Sequence, residues 1–339
     1  MKKVGLFFVF FLILMQVVAQ EKPQFTNCKN YQDSIHFLTV YCDQSLNNEE
    51  YDKLITKAKW SLQYVKNEDY KHQSLFHFFI GAGFFNQHDS ALHYFYLSKK
   101  EADIIKDELR IVNAEAQILS VYNLSARFAN QQDSLAKILI NKLDTTQNDS
   151  YKNILINPVA SYYHQKGQYE SEINLLLQGV AFLKKRVVSP ERNDADSTNI
   201  GVGLYNIGDI YFQMQNEKAK QYYLQSRPYF NNFKLGLAYY HKGMIEAYLL
   251  EQNLTSAVLH LDSLQVMIND GFEDANSVKA TATLAFSKYF LKQNKLNKAK
   301  EFLEQAKTAN HKFPELTVST NIEYIEGEIL LENGDFQES

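Results

Sequence analysis

A spacing of small and large side chains recurs from residue 80 to the end of the chain and constrains the fold more than any other feature. The clearest copy has a small residue, Gly208, three positions before an aromatic, Tyr211. After a short polar turn come Ala219, the bulky Tyr223 and the small Ser226. Other copies of the first half are Gly81/Phe84, Ser125/Phe128, Ala160/Tyr163 and Ser287/Phe290, and other copies of the second half begin at Ala91, Ala136, Ala257 and Ala299.

This spacing has a simple physical meaning. Positions three and four apart share one face of a helix, so a small residue lets a partner helix approach while its bulky neighbour fills the groove beside it. One such hairpin cannot bury both of its faces and needs neighbours on each side. Only 13 Gly and 5 Pro in 339 residues also leave few turns for a many-stranded fold. The sequence therefore predicts an all-α, right-handed solenoid of antiparallel helical hairpins.

The segment from Leu204 to Tyr211, followed by Ala219, Tyr223 and Ser226, resembles the tetratricopeptide repeat (TPR) family. The resemblance covers roughly residues 70–339. Successive second-helix positions are 36 to 47 residues apart, longer than the roughly 34 residues of a standard repeat and within reach of a HEAT-like array of about 40 to 47. The small–aromatic pair on the first helix favours the TPR-like alternative.

The first residues resemble an export signal. Lys2 and Lys3 precede an apolar run, Val4–Leu14, and small residues lead to a cleavage site after Ala19. The alternative is an uncleaved anchor, but the run is shorter than the roughly 20 residues that span a bilayer. We expect a signal peptide over residues 1–19 and a periplasmic or secreted protein.

Four segments follow the signal in the predicted organisation. Residues 20–69 form an N-terminal capping hairpin, 70–186 hold repeats, 187–200 form a polar loop, and 201–339 hold repeats of which the last is incomplete. Cys28 and Cys42 are the two cysteines. A disulfide between them would contribute roughly 3 kcal/mol on the chain-entropy account; two free thiols, one facing the core, are the alternative.

Charge and motifs exclude several functions. The formal charge is −4, and removing Lys2 and Lys3 with the signal gives −6 (−4 − 2), which makes nucleic acid a poor partner. The chain has no phosphate-binding loop, nucleophile elbow or zinc-binding helix motif. The histidines His72, His77, His88 and His93 lack the spacing of helical metal ligands. We therefore expect no catalytic residues, no metal and no cofactor.

The TPR resemblance implies a ligand groove lined by the first helix of each hairpin. Its contacts come from the motif's fifth, ninth and thirteenth positions. In this sequence those positions carry both charges and an aromatic, which suits a protein or peptide ligand; the alternative is an ordinary solvated helix face. The residues concerned are Tyr205, Asp209, Lys242, Glu246, Lys288 and Lys292.

The chain is also similar to the exported TPR sensor region of bacterial membrane-spanning regulators. Their transmembrane helix and cytoplasmic output domains are missing from this sequence, which favours a truncated regulator that binds a ligand without catalysis. Membrane attachment would then require a missing C-terminal region or an uncleaved signal. The alternative is a complete secreted or periplasmic scaffold for envelope proteins.

Overall fold

The computed structural model describes residues 28–47, 50–190, 195–272, 275–312 and 316–333. Across those residues it has fifteen α-helices, two short 3-10 helices and no β-strand. Helices adjacent in sequence pack against each other in pairs. The predicted all-α array of helical hairpins is confirmed. The expected signal peptide and residues 334–339, which end the expected incomplete repeat, lie outside the described residues.

The chain divides into two compact units, the first ending at Ser125. Its helices begin where side chains satisfy free backbone N–H groups: the Asp69 and Asp107 carboxylates accept from the N–H groups of His72 and Arg110. The helices of this unit are α1 (Tyr31–Asn47), α2 (Tyr51–Leu62), α3 (Tyr70–Gly83), α4 (His88–Ile105) and α5 (Glu108–Tyr122).

The second unit, from Ala126 onward, contains the clearest copies of the sequence pattern. Two 3-10 helices lie at Ala126–Phe128 and Arg227–Phe230. Its α-helices are α6 (Ala129–Thr145), α7 (Asp149–Gln165), α8 (Tyr169–Arg186), α9 (Ala195–Gln213), α10 (Lys218–Ser226), α11 (Lys234–Leu250), α12 (Leu254–Asn269), α13 (Ala275–Leu291), α14 (Leu296–Lys312) and α15 (Leu316–Asn333).

Gly208 has the role that its spacing predicts. A Cβ placed on it would lie 2.6 Å from the Tyr223 ring, and one on Gly243 would lie 2.7 Å from the same ring. Tyr223 of α10 is fully buried and therefore fills the space between α9 and α11. Tyr211, expected to be buried between hairpins, is only partly buried and stacks on Tyr222 with 5.3 Å between ring centroids.

The structure corrects two predictions. Residues 195–200 of the expected 187–200 loop are helical, because Asp196 lies in the first turn of α9 and accepts a hydrogen bond of 2.8 Å from Arg186 Nε. Cys28 and Cys42 are free thiols, so the possible disulfide is absent. Cys42 faces the interior of the first unit, with its Sγ 3.8 Å from Ser61 Oγ.

The first helices of successive hairpins lie side by side in the second unit. Helix α9 contacts α11, α11 contacts α13, and α13 contacts α15. Residues one turn apart on these helices therefore share a common face, which is the groove face implied by the TPR resemblance. Across the described part of the chain, the helices are too short or too polar to cross a bilayer.

Candidate functional site

Four of the six residues implied by the resemblance meet where α9 contacts α11. Lys242 Nζ lies 2.9 Å from Glu246 Oε2, one turn along α11, and 3.6 Å from Asp209 Oδ1 of α9. The Tyr223 hydroxyl donates a 2.7 Å hydrogen bond to Asp209 Oδ1. The Tyr205 ring lies 5.3 Å from the Tyr223 ring. We call Tyr205, Asp209, Lys242 and Glu246, together with Tyr223, the charge cluster.

Three residues of the charge cluster are buried, and Asp209 and Lys242 are partly buried, so the cluster is not an exposed groove surface. Tyr205 and Glu246 are each 7% exposed. Burial raises the pKa of Glu246 to about 7, opposed by the ammonium of Lys242. Burial alone would lower the pKa of Lys242, but the attraction of Glu246 and Asp209 holds it well above its usual value. These groups therefore neutralise one another inside the protein.

The remaining two predicted residues line an open cleft on α11, α13 and α15. Lys288 and Lys292 are exposed, and neither forms an ion pair with any side chain in the described ranges. The cleft has a volume of about 760 Å³, and Glu246 lines its wall. Its other lining residues are mainly apolar, and we call it the lysine cleft. The apolar lining residues of the lysine cleft are Phe212, Leu249, Leu250, Leu284, Ala285 and Tyr289.

A second cleft, of about 490 Å³, lies between α7, α8 and α9. Five carboxamide side chains line it, and within the described ranges none of them hydrogen-bonds to another residue. We call it the amide cleft. Asp209 lines this cleft and approaches Lys242, which pairs with Glu246 in the wall of the lysine cleft. The carboxamides belong to Asn153, Asn157, Asn199, Asn206 and Gln213.

The wall of the amide cleft carries one hydrogen-bonded His–Glu pair and one Arg–Asp ion pair. His164 Nδ1 lies 2.9 Å from Glu172 Oε2, and Arg186 pairs with the buried Asp196. Burial raises the pKa of Glu172, and the adjacent imidazole opposes that shift. These four side chains therefore have partners within the protein, whereas the five carboxamides of the cleft have none among the described residues.

The amide cleft is absent from the predicted site, although the repeat spacing locates two of its residues. Counting from Ala160 as from Gly208, the fifth and ninth positions are Asn157 and Ser161, and both line the amide cleft. The same count from Ser287 adds Leu284 to Lys288 and Lys292. In the described ranges no group of three or more potential metal ligands occurs.

Hairpins with this packing define the chain as a TPR-like helical repeat protein. Among solved structures it is similar to a Rap protein complexed with Competence and Sporulation Factor (TM-score 0.54, 13% identity, covering 97% of this chain and 92% of the other). It is similar to the Rap conjugation gene regulator of plasmid pLS20 in complex with the Phr* peptide (0.52, 17%, 91% and 87%). A third is NprR in complex with its cognate peptide NprX (0.50, 13%, 98% and 95%).

These likenesses concern the fold. No protein-family model matches the sequence, and no curated protein matches it.

Proposed function

We propose that the second unit binds a short, extended peptide that carries an acidic group, without catalysing a reaction on it. The observation that carries this proposal is a row of polar side chains along the groove face that form no hydrogen bond or ion pair with other described residues. Carboxamides line the amide cleft and two lysines line the lysine cleft, and the charge cluster lies between the two clefts.

The carboxamides suit the main chain of a peptide. Each offers N–H donors and a carbonyl acceptor, which are the complements of a peptide C=O and N–H. Contacts of this kind recognise an extended backbone whatever its side chains, because every residue other than proline presents the same pair of groups. The amide cleft therefore suits sequence-independent positioning.

The lysine cleft suits recognition of particular side chains. Lys288 and Lys292 lie one turn apart, so their ammonium groups can approach one carboxylate together, and hydrogen bonds between charged partners are the stronger class. Leu249, Leu250 and Leu284 provide apolar surface for a neighbouring aliphatic or aromatic side chain. An acidic residue next to an apolar one is the ligand pattern that this cleft favours.

Two of the similar structures are complexes with a peptide. That supports a peptide ligand for this chain by analogy of fold. Residues 1–19 support an exported protein, as a sensor for a signalling regulator or, alternatively, as an envelope scaffold. A reporter fused after residue 19 and N-terminal sequencing of the exported product test the signal, and retention of the reporter in the cytoplasm would contradict it.

The binding test uses charge reversal. Lys288→Glu with Lys292→Glu should weaken capture of fluorescent acidic peptides at least tenfold, because like charges replace the clamp. The matched control is Lys298→Glu with Lys300→Glu, two exposed lysines of α14 outside the cleft. Fluorescence anisotropy with a peptide library reads the effect. Equal binding by both double variants would remove the lysine cleft from the site.

A further inference from the structure

Two histidines connect the two helices of the hairpin that carries Lys242 and Glu246. His241 of α11 and His260 of α12 approach with their Nδ1 atoms 2.9 Å apart and their ring centroids 5.1 Å apart. A direct contact at that distance is a hydrogen bond in which one ring donates N–H and the other accepts. At least one ring must therefore be neutral for the bond to exist.

The surroundings of the pair disfavour positive charge. Both rings are partly buried, and the Tyr240 ring lies 5.2 Å from His241 and 5.8 Å from His260. The Tyr248 ring lies 5.6 Å from His260. The Arg227 guanidinium, which lies over the Tyr240 ring, adds a cation close to His241.

Other charged groups on the packed elements are already engaged. Lys220 of α10 lies over the Tyr248 ring and pairs with Glu251 at 2.7 Å. On the α13 side, Lys279 donates to Gln265 of α12 at 2.7 Å. Within the described ranges, no carboxylate forms an ion pair with His241 or His260. A protonated ring therefore lacks a compensating negative charge.

Metal binding is a poorer explanation of the pair. Two nitrogens on a tetrahedral zinc ion would stand about 3.3 Å apart, since each Zn–N bond is about 2.0 to 2.1 Å. The observed 2.9 Å is shorter, Arg227 repels a cation, and the described ranges supply no third ligand. The distance fits a hydrogen bond in which the N–H of one ring donates to the nitrogen of the other.

Burial lowers the pKa of His241 to about 4, with His260 and Arg227 acting in the same direction. Burial also lowers the pKa of His260. A lowered imidazole pKa means that the opened hairpin binds protons more readily than the closed one. The stability from this contact is therefore fully present above about pH 6.5, the usual histidine value, and declines as the pH falls toward 4.

We propose that the His241–His260 hydrogen bond is an acid-sensitive latch between α11 and α12, which holds the groove helix near neutral pH and releases it when both rings are protonated. His241 directly precedes Lys242, so opening the latch displaces the helix that contributes Lys242 and Glu246 to the charge cluster and the lysine cleft. Acid would then release a bound peptide, a consequence that rests on the proposed function.

Glu246 titrates in the same pH range, but its protonation has the opposite effect on the stability of the closed hairpin. Because burial raises the pKa of its carboxyl to about 7, the closed state takes up this proton and gains stability as the pH falls. The total pH dependence of the hairpin therefore mixes both effects. Only a comparison with a histidine variant at each pH isolates the latch.

The test is hydrogen exchange of residues 234–269 in the full chain, without peptide, at about pH 7.5 and pH 5, corrected for intrinsic rates. His241→Asn preserves an amide near the Nδ1 position and cannot be protonated. The opening constant of the wild type relative to this variant should rise about 30-fold between the two pH values, since an opened histidine titrates near 6.5. His311→Asn, at an exposed histidine of α14, is the control. The opening constant of the wild type relative to His311→Asn should not change between the two pH values.

A ratio that stays constant with pH would overturn the latch, whatever the peptide-binding result. If His241→Asn fails to fold, His260→Asn provides the same comparison. An NMR titration of the wild-type histidines serves as a second measurement, and titration of both rings near 6.5 would also overturn the proposal. Peptide binding measured at neutral pH tests the proposed function separately.

Discussion

The charge cluster and the lysine cleft occupy equivalent positions of the repeat, yet one is closed and the other open. On α11 the charges at successive turns are Lys242 and Glu246, which pair with each other. On α13 the equivalent positions are Leu284 and Lys288, so the lysine has no counter-charge on its own helix. A groove position becomes structural where the chain supplies the opposite charge, and remains available to a ligand where it does not.

The largest expected effect comes from a substitution in the charge cluster. Lys242→Met leaves the buried Glu246 carboxylate and the partly exposed Asp209 carboxylate without their shared cation, which should lower the free energy of unfolding by about 3 to 5 kcal/mol at pH 8. Lys288→Met, at an exposed lysine of the lysine cleft, is the control and should change it by less than about 0.5 kcal/mol. Urea denaturation followed by circular dichroism measures both. Similar losses in the two variants would contradict the distinction.

The next effect concerns the packing that supports the charge cluster. Gly208→Leu forces a side chain against the Tyr223 ring and the nearby backbone, and overpacking should cost about 1 to 3 kcal/mol. Gly327→Leu is the control, because within the described residues a Cβ built there meets no side chain or neighbouring helix within 4 Å. That change should be neutral or stabilise the helix by up to about 1 kcal/mol. Thermal denaturation of both variants would show whether the repeat register is correct.

Local spacing predicted the hairpin contact at Gly208 because a glycine three residues before an aromatic has few other uses on a helix. The same spacing failed at Ser125 and Phe128: Ser125 lies in a turn and Phe128 in a 3-10 helix, while the preceding α-helix ends at Tyr122. A small residue near an aromatic also occurs in turns, and the pattern does not report where a helix ends.

Burial of the charge cluster could not be predicted from the repeat alone. The motif assigns Asp209 and Lys242 to a common face but does not give the distance between α9 and α11. The fully buried Tyr223, which inserts between those helices and donates to Asp209, decides that the face is closed there. The amide cleft was not predicted because carboxamides are neutral and, unlike the lysines, do not form a charge pattern in the sequence.

The smallest effect concerns the open region. Lys288→Glu with Lys292→Glu should shift the melting temperature very little, because both lysines are exposed and lack ion pairs among the described residues. Differential scanning fluorimetry at neutral pH checks this. A loss of several degrees would show that the lysines stabilise the fold. That result would contradict the distinction between the charge cluster and the lysine cleft.

Photo-crosslinking tests most directly whether a peptide binds in the lysine cleft, as we propose. A benzophenone amino acid replaces Tyr289, which lines the cleft, or Tyr324, an exposed tyrosine of α15 outside it. Each variant is irradiated with the fluorescent acidic peptides selected by anisotropy, and the adducts are mapped by mass spectrometry. We expect adducts from position 289, competed by unlabelled peptide, and none above background from position 324. Equal labelling at both positions, or labelling from position 324 alone, would contradict the account.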